Sequence, residues 1–184
     1  NDIKIKSNLK NKTNKNIINQ LFIKKDDYFD SRALDKSSIY LNNYYSDLGY
    51  SFVKVTPSLK ENKDLVDVVF TINEGNKSYI NNISIIGNKR TADRVIRREL
   101  SFLEGDSFNK TKLTTSINSI KRLGYFTSVN YRIDRTNEDN AVDIIIKVEE
   151  KATGSVSFGV GYSSLDSASL TFGLNERNFL GEGN

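Results

Sequence analysis

The side chains best suited to acid–base or nucleophilic chemistry are missing from this 184-residue chain, which has neither histidine nor cysteine. Disulfides, the usual zinc ligands, Ser-His relays and the commonest general base are excluded with them. Carboxylates remain, but no pair of acids lies in an apolar setting. The sequence therefore reads as a non-enzyme with no cofactor and no metal. The other chemistry on offer is electrostatic. "NKRTADRVIRRE", from Asn88 to Glu99, with Tyr and Phe nearby, could form a phosphate-binding helix. A KH module, which also uses a β-α-α-β order, needs a G-x-x-G loop, and Gly87-Asn88-Lys89-Arg90 lacks the second glycine. Charge points the same way. Residues 1–79 and 80–151 each carry 13 Lys/Arg against 10 Asp/Glu, and residues 152–184 carry 1 against 3. So small a surplus serves solubility, not a phosphate footprint. Neither nucleic acid nor a small-molecule substrate is expected as a partner.

With side-chain chemistry set aside, main-chain pairing and apolar faces are left, and the elements that carry them occur twice. "LGY" stands at Leu48 and again at Leu123, an offset of 75. "DVVFTINEG" from Asp67 corresponds to "DIIIKVEEK" from Asp143, and "IKIKS" from Ile3 to "ISIIG" from Ile83, offsets of 76 and 80. In the second copy, Tyr79–Gly87 reads as a strand with Ile83 and Ile85 on one face. Thr91 is placed to N-cap a short helix bearing Val95, Ile96 and Leu100, with Asp93 in its first turn. Leu113, Ile117, Ile120 and Leu123 form one apolar stripe of a second helix, which Gly124 closes. Strands Val129–Asp134 and Val142–Glu149 complete a β-α-α-β-β unit. The first copy repeats the order. A short helix covers Asn16–Phe22, and a longer one carries Leu34, Leu41 and Leu48 with Tyr44 or Tyr45 between them, capped by Gly49. Strands Phe52–Pro57 and Val66–Glu74 follow. Phe29 stands 20 residues before its glycine and Phe108 only 16, so the first long helix gains one turn.

Pro57 is the sole proline. Proline donates nothing to a ladder, so its strand belongs at a sheet edge, and by the repeat so does Val129–Asp134. The last thirty residues change character. Val156, Phe158, Val160 and Tyr162 alternate with Ser155, Ser157, Gly159, Gly161 and Ser163. After a turn at "SLDS", Ala168, Leu170, Phe172 and Leu174 alternate with Ser169, Thr171, Gly173 and Asn175. Each strand has the length of a tilted membrane strand. Periodicity alone equally allows a soluble hairpin laid on a core. Alone in water such a hairpin is marginal.

Two such units running into this tail resemble the BamA-type family of outer-membrane protein assembly factors, specifically their C-terminal POTRA (polypeptide-transport-associated) domains and first barrel strands. The motifs that carry the resemblance are "IIGNKRTADRVIRRELSFLEGD", "LGYFTSVNY", "VEEKATGSVSFGVGY" and "ERNFLGEGN". It implies an α+β fold: tandem POTRA domains, each with two helices on a three-stranded mixed sheet, then the first hairpin of a transmembrane β-barrel. The boundaries would be 1–78 for the penultimate POTRA domain, with its first strand partly cut away, 79–151 for the last, and 152–184 for the barrel's start. The chain, opening on Asn, is read as a piece of something longer. The implied role is a periplasmic scaffold in the outer membrane of a Gram-negative bacterium. It would receive unfolded outer-membrane proteins by β-augmentation at Phe52, Val53, Lys54, Val55, Val129, Asn130, Tyr131, Arg132 and Ile133. Pro57 and Lys54 would blunt one of those edges. Accessory outer-membrane lipoproteins would dock at Arg97 and Glu104. Val156, Phe158, Val160, Tyr162, Leu170, Phe172 and Leu174 would face lipid once the rest of the barrel is present. A secretion translocator or a translocation-and-assembly factor of the same superfamily remains the near alternative.

Overall fold

The computed structural model describes residues 2–7, 15–62, 65–163 and 167–183. The element order is β1 (Ile3–Ser7), α1 (Lys15–Gln20), α2 (Ser31–Asp47), β2 (Lys54–Asn62), β3 (Leu65–Asn73), β4 (Tyr79–Ile86), α3 (Asp93–Arg97), α4 (Lys110–Arg122), β5 (Phe126–Arg135), β6 (Ala141–Glu150), β7 (Gly154–Ser163) and β8 (Ser167–Glu176), with a final 3-10 turn at Phe179–Gly181. Three sheets result, ordered β1-β3-β2, β4-β6-β5 and β7-β8. The first is mixed, β3 pairing parallel with β1 and antiparallel with β2. This is the α+β architecture expected from the repeat. By compactness the chain divides into two units, Asn1–Asn82 with Leu103–Lys112 and Ile133–Asp143, and Ile83–Phe102 with Leu113–Arg132 and Ile144–Asn184.

In the first unit, α2 is amphipathic for the reason its spacing gave. Leu34, Leu41 and Tyr45 come to one face and meet Val68, Phe70 and Ile72 of β3 in a single core. Between the two tyrosines the structure chooses Tyr45 for full burial, with Tyr44 against its edge. Each fully buried large side chain contributes about 1.5–3 kcal/mol. Asp30 caps α2 by accepting the Arg32 amide at 2.9 Å. At the other end Gly49, at φ 102°, lets its own amide reach Ser46 O and the Tyr50 amide reach Tyr45 O. That paired closure needs a left-handed residue after the cap, which glycine adopts without strain. The helix runs 17 residues against 13 for α4, the one-turn difference read from the glycine spacing.

In the second unit Val95, Ile96, Phe102, Leu113, Ile117, Ile120, Val129, Ile144, Ile146 and Val148 are buried. A buried serine recurs in both copies. Ser37 Oγ accepts the amides of Phe22 (2.9 Å) and Ile23 (3.1 Å) and donates to Ala33 O, while Ser116 Oγ accepts the Ser101 amide at 2.9 Å. Each serine thereby satisfies the chain leaving the short helix, where a missing partner would cost about 1–3 kcal/mol.

Several element bounds differ from the sequence reading. The first short helix is Lys15–Gln20, not Asn16–Phe22, and α3 ends at Arg97, before Leu100. β2 starts at Lys54, because Phe52 and Val53 still belong to the turn after α2, and it continues past Pro57 to Asn62. β5 is longer than Val129–Asp134, running from Phe126. The expected Thr91 cap is overturned: the N-cap position is Ala92, without a side-chain bond. The turn expected at 164–167 lies, apart from the β8 start, outside the described residues.

Candidate functional site

The rim positions inferred from Pro57 are found. β2 ends one sheet order and β5 another, and Pro57 sits opposite Phe70 in the β2–β3 ladder. Of the residues expected to present an edge, Lys54 and Val55 lie in β2, opposite Asn73 and Ile72. Phe52 and Val53 do not lie in the strand. Val53 is buried and its carbonyl accepts Asn42 Nδ2 at 3.1 Å, and the Phe52 ring lies 4.3 Å beneath the Arg135 guanidinium. In β5, Val129 points into the core, Tyr131 and Ile133 are half-buried, and Asn130 and Arg132 are exposed. A bound strand would thus meet a pleated rim with one apolar and one polar face.

Arg97 lies in the last turn of α3, its Nε donating to Asp93 Oδ2 at 3.0 Å and its Nη2 to Ile83 O at 2.7 Å. These bonds hold the guanidinium along the helix rather than letting it sweep freely. Glu104 is exposed in the turn completed by Gly105, whose amide donates to Ile80 O at 2.7 Å.

The tail hairpin has a one-to-one register. Val156 opposes Leu174, Phe158 opposes Phe172, Val160 opposes Leu170 and Tyr162 opposes Ala168. Ser155, Ser157, Gly159 and Gly161 oppose Asn175, Gly173, Thr171 and Ser169 on the other face. Every large residue of the apolar face is exposed, Phe158 and Phe172 by 71% each. That is a contiguous apolar surface, and such surfaces mark a partner or a lipid phase.

Sequence reasoning passed over the turn that follows β8. Gly181 O accepts the Ala92 amide at 3.0 Å, Asn178 Nδ2 donates to Thr91 Oγ1 at 2.9 Å, and Arg98 Nη2 donates to Gly183 O at 3.0 Å. Arg94 pairs with Glu182. The approach is so close that a Cβ on Gly181, at φ 76°, would stand 1.9 Å from Arg90 O. Thr91 is the pivot. Its amide donates to Glu150 Oε1 at 2.7 Å, while the Arg90 amide reaches both Glu150 oxygens at 3.1 and 3.0 Å. Burial disfavours the charge on Glu150, but the Thr91 and Arg90 amides and the Thr91 hydroxyl outweigh it and hold the carboxyl below its ordinary range. The loop before α3, the end of β6 and the turn after β8 are thus joined at one residue. The signal available in sequence was the pair of glycines in "NFLGEGN", which marks a tight turn but not what it touches.

At the N-terminal end of α4, the Asp47 carboxylate accepts the Thr111 amide and hydroxyl, each at 2.7 Å, and Asn109 Nδ2 donates to Asp47 O at 3.2 Å. Ser78 N donates to Gly49 O at 2.8 Å beside a Ser51–Ser78 hydroxyl contact of 2.7 Å. A carboxylate at a helix start is favoured by the orphan amides and the dipole there.

Comparison with known proteins gives these features a family. The POTRA family, described as surface antigen variable number repeat, matches residues 1–75 and again 78–151. BamA, the outer membrane protein assembly factor of Nitratidesulfovibrio vulgaris, is 33% identical over 163 residues, which is 87% of this chain and 21% of that protein. BamA of Neisseria meningitidis is 32% identical over 135 residues, 73% of this chain and 17% of that one. This chain therefore spans about a fifth of the length of the curated relatives it matches. Among solved structures, Haemophilus ducreyi BamA lacking POTRA domains 1–3 superposes with a TM-score of 0.78 at 31% identity, covering 100% of this chain and 35% of that one. POTRA domains 3–5 of Haemophilus influenzae BamA share the fold, with a TM-score of 0.74 at 21% identity over 81% of this chain and 60% of theirs.

Proposed function

Because the chain belongs to the POTRA family, as a POTRA region of the BamA type, we propose that it serves as the periplasmic scaffold of an outer-membrane β-barrel assembly factor. Its two repeats stand in the periplasm and its tail hairpin enters the outer membrane. The observation that carries this is the hairpin register. Three facing pairs of large apolar residues, Val156–Leu174, Phe158–Phe172 and Val160–Leu170, stand exposed on one side of an otherwise small and polar ribbon. Water penalises that face and a bilayer rewards it, so it is the lipid-facing wall of a barrel's opening strands. No ATP or cofactor enters, because the work is transfer of main-chain hydrogen bonds from strand to strand.

Unfolded outer-membrane proteins are received by strand addition. β5, at the rim of its sheet, supports that role, through Val129, Asn130, Tyr131, Arg132 and Ile133. β2 offers the shorter stretch of Lys54 and Val55 before Pro57. Accessory lipoproteins dock beside α3 through Arg97 and through Glu104 in the following turn. The test is amide chemical shifts during titration with an extended peptide from an outer-membrane strand. Shifts along Val129–Ile133 are the expected result, and shifts confined to α2 and α4 refute strand addition. Reversal of Arg97 or Glu104 should abolish capture of the lipoprotein, and an intact complex refutes that docking.

A further inference from the structure

Beside the Thr91–Glu150 junction lies a concave cavity of about 500 Å3, formed by the loop after β4 and the end of β6. Its charged lining residues are Lys89, Arg90, Lys147, Glu149, Glu150 and Lys151. Among the described residues none of Lys89, Arg90, Lys147 and Lys151 has an ion-pair partner. Glu150 keeps its negative charge, but its carboxylate is held by the Arg90 and Thr91 amides rather than by any of the four cations. Four cations face two carboxylates, Glu149 and Glu150, around one hollow, a surplus of two positive charges, and a concave wall concentrates such a field. An ordinary solvated basic surface spreads its charges apart or pairs them. This one sets four of them around a single hollow.

The place of the cavity decides its occupant. β7 begins at Gly154, three residues beyond Lys151, and its exposed apolar face begins at Val156. An extended chain covers about 3.3 Å per residue, so the cavity stands within about 17 Å of the apolar band. The headgroup layer of a bilayer adjoins that band directly. The geometry points to a binding site for the phosphodiester headgroup of an anionic phospholipid, held by Lys89, Arg90, Lys147 and Lys151 at the membrane's periplasmic edge. The site rests on the membrane reading of the β7–β8 hairpin. The last repeat would then be fixed against the bilayer twice, by the barrel strand and by a lipid gripped at its base.

The experiment uses the whole chain and short-chain soluble lipids, which bind without requiring the hairpin to insert. Dihexanoyl phosphatidylglycerol should shift the amides of Gly87–Arg90 and Lys147–Ala152, and dihexanoyl phosphatidylcholine should bind at least about tenfold more weakly, as expected where several cations each contribute to anionic-lipid affinity. The triple variant Lys89→Gln/Lys147→Gln/Lys151→Gln should lose at least about tenfold in affinity. Lys25→Gln/Lys60→Gln/Lys121→Gln, with the same change in net charge, should lose none. Equal losses in the two variants, or shifts absent from the cavity residues, overturn the site. Inorganic phosphate binding as tightly as the lipid leaves an anion site and overturns the lipid assignment. Failure of the membrane reading would show separately, as vesicle flotation indifferent to Phe158→Ser/Phe172→Ser.

Discussion

Replacing Gly181 by alanine tests the turn after β8 directly. Two costs arise from the structure. The residue sits at φ 76°, where a side chain costs about 1–2 kcal/mol. The new Cβ would also stand 1.9 Å from Arg90 O, a backbone atom that cannot swing aside. The turn must therefore withdraw, surrendering the Ala92 amide bond to Gly181 O and the Asn178 bond to Thr91 Oγ1. At about 1 kcal/mol each, these raise the total to about 3–4 kcal/mol. The control is Gly75→Ala, at φ 69° with no atom within 4 Å, which bears only the backbone cost. The close approach alone accounts for the difference of about 2 kcal/mol, or about thirtyfold in an opening equilibrium. Amide hydrogen exchange reads it. In Gly181→Ala the Ala92 amide should exchange at least about thirtyfold faster, while the Val68 amide, bonded to Asp2 O in the other unit, keeps its rate. Gly75→Ala should leave Ala92 unchanged. Ala92 protection within about twofold of the parent in Gly181→Ala would refute the docked turn.

Glu150 makes stability depend on acidity. Its carboxyl is held below the ordinary value of 4.5 in the folded chain, so its stabilisation is complete above that value and is lost as pH falls through the folded pKa. Melting temperature should fall more steeply on acidification in the parent than in Glu150→Gln, and parallel profiles would exclude the carboxylate's role. Asp47→Ala removes two short bonds to the first turn of α4 and should cost about 1–2 kcal/mol in urea unfolding, with a smaller non-additivity when combined with Thr111→Val, which removes only the hydroxyl bond. A purely additive pair would show the contact to be idle. Ser37→Ala orphans the buried Ile23 amide and the part-buried Phe22 amide, and Ser116→Ala the part-buried Ser101 amide; each should cost about 1–3 kcal/mol by the same assay, and a loss below about 0.5 kcal/mol would place those amides in water instead.

Much of this fold was legible because it is written in local periodicities. The Leu34–Leu41 spacing and the Leu113–Ile117–Ile120 stripe specify helix faces, and the positions of Gly49 and Gly124 specify where those helices stop. Pro57 gave the sheet order at its rim through a rule about one missing N–H. Alternation gave both strands of the tail, whose facing pairs then follow from register. Thr91 marks where this reasoning fails. Its residue type and position favour an N-cap, worth about 1 kcal/mol locally. In the fold its amide goes to Glu150 and its hydroxyl to Asn178, groups 59 and 87 residues away. Phe52 and Val53 fail likewise: their apolar, β-prone character suits a strand, yet burial of Val53 and the Asn42 bond to its carbonyl keep the chain in its turn.

The sequence by itself determined the repeated β-α-α-β-β order, the longer first helix, the two rim strands and the two-faced tail, since each depends on residues a few positions apart. Tertiary structure alone decided what the "NFLGEGN" turn grips, where the Asp47 carboxylate lands and which lysines line the hollow beside Glu150. Those are meetings of distant segments, and a chain's local pattern carries its faces and stops but not the partners that three-dimensional packing brings to them.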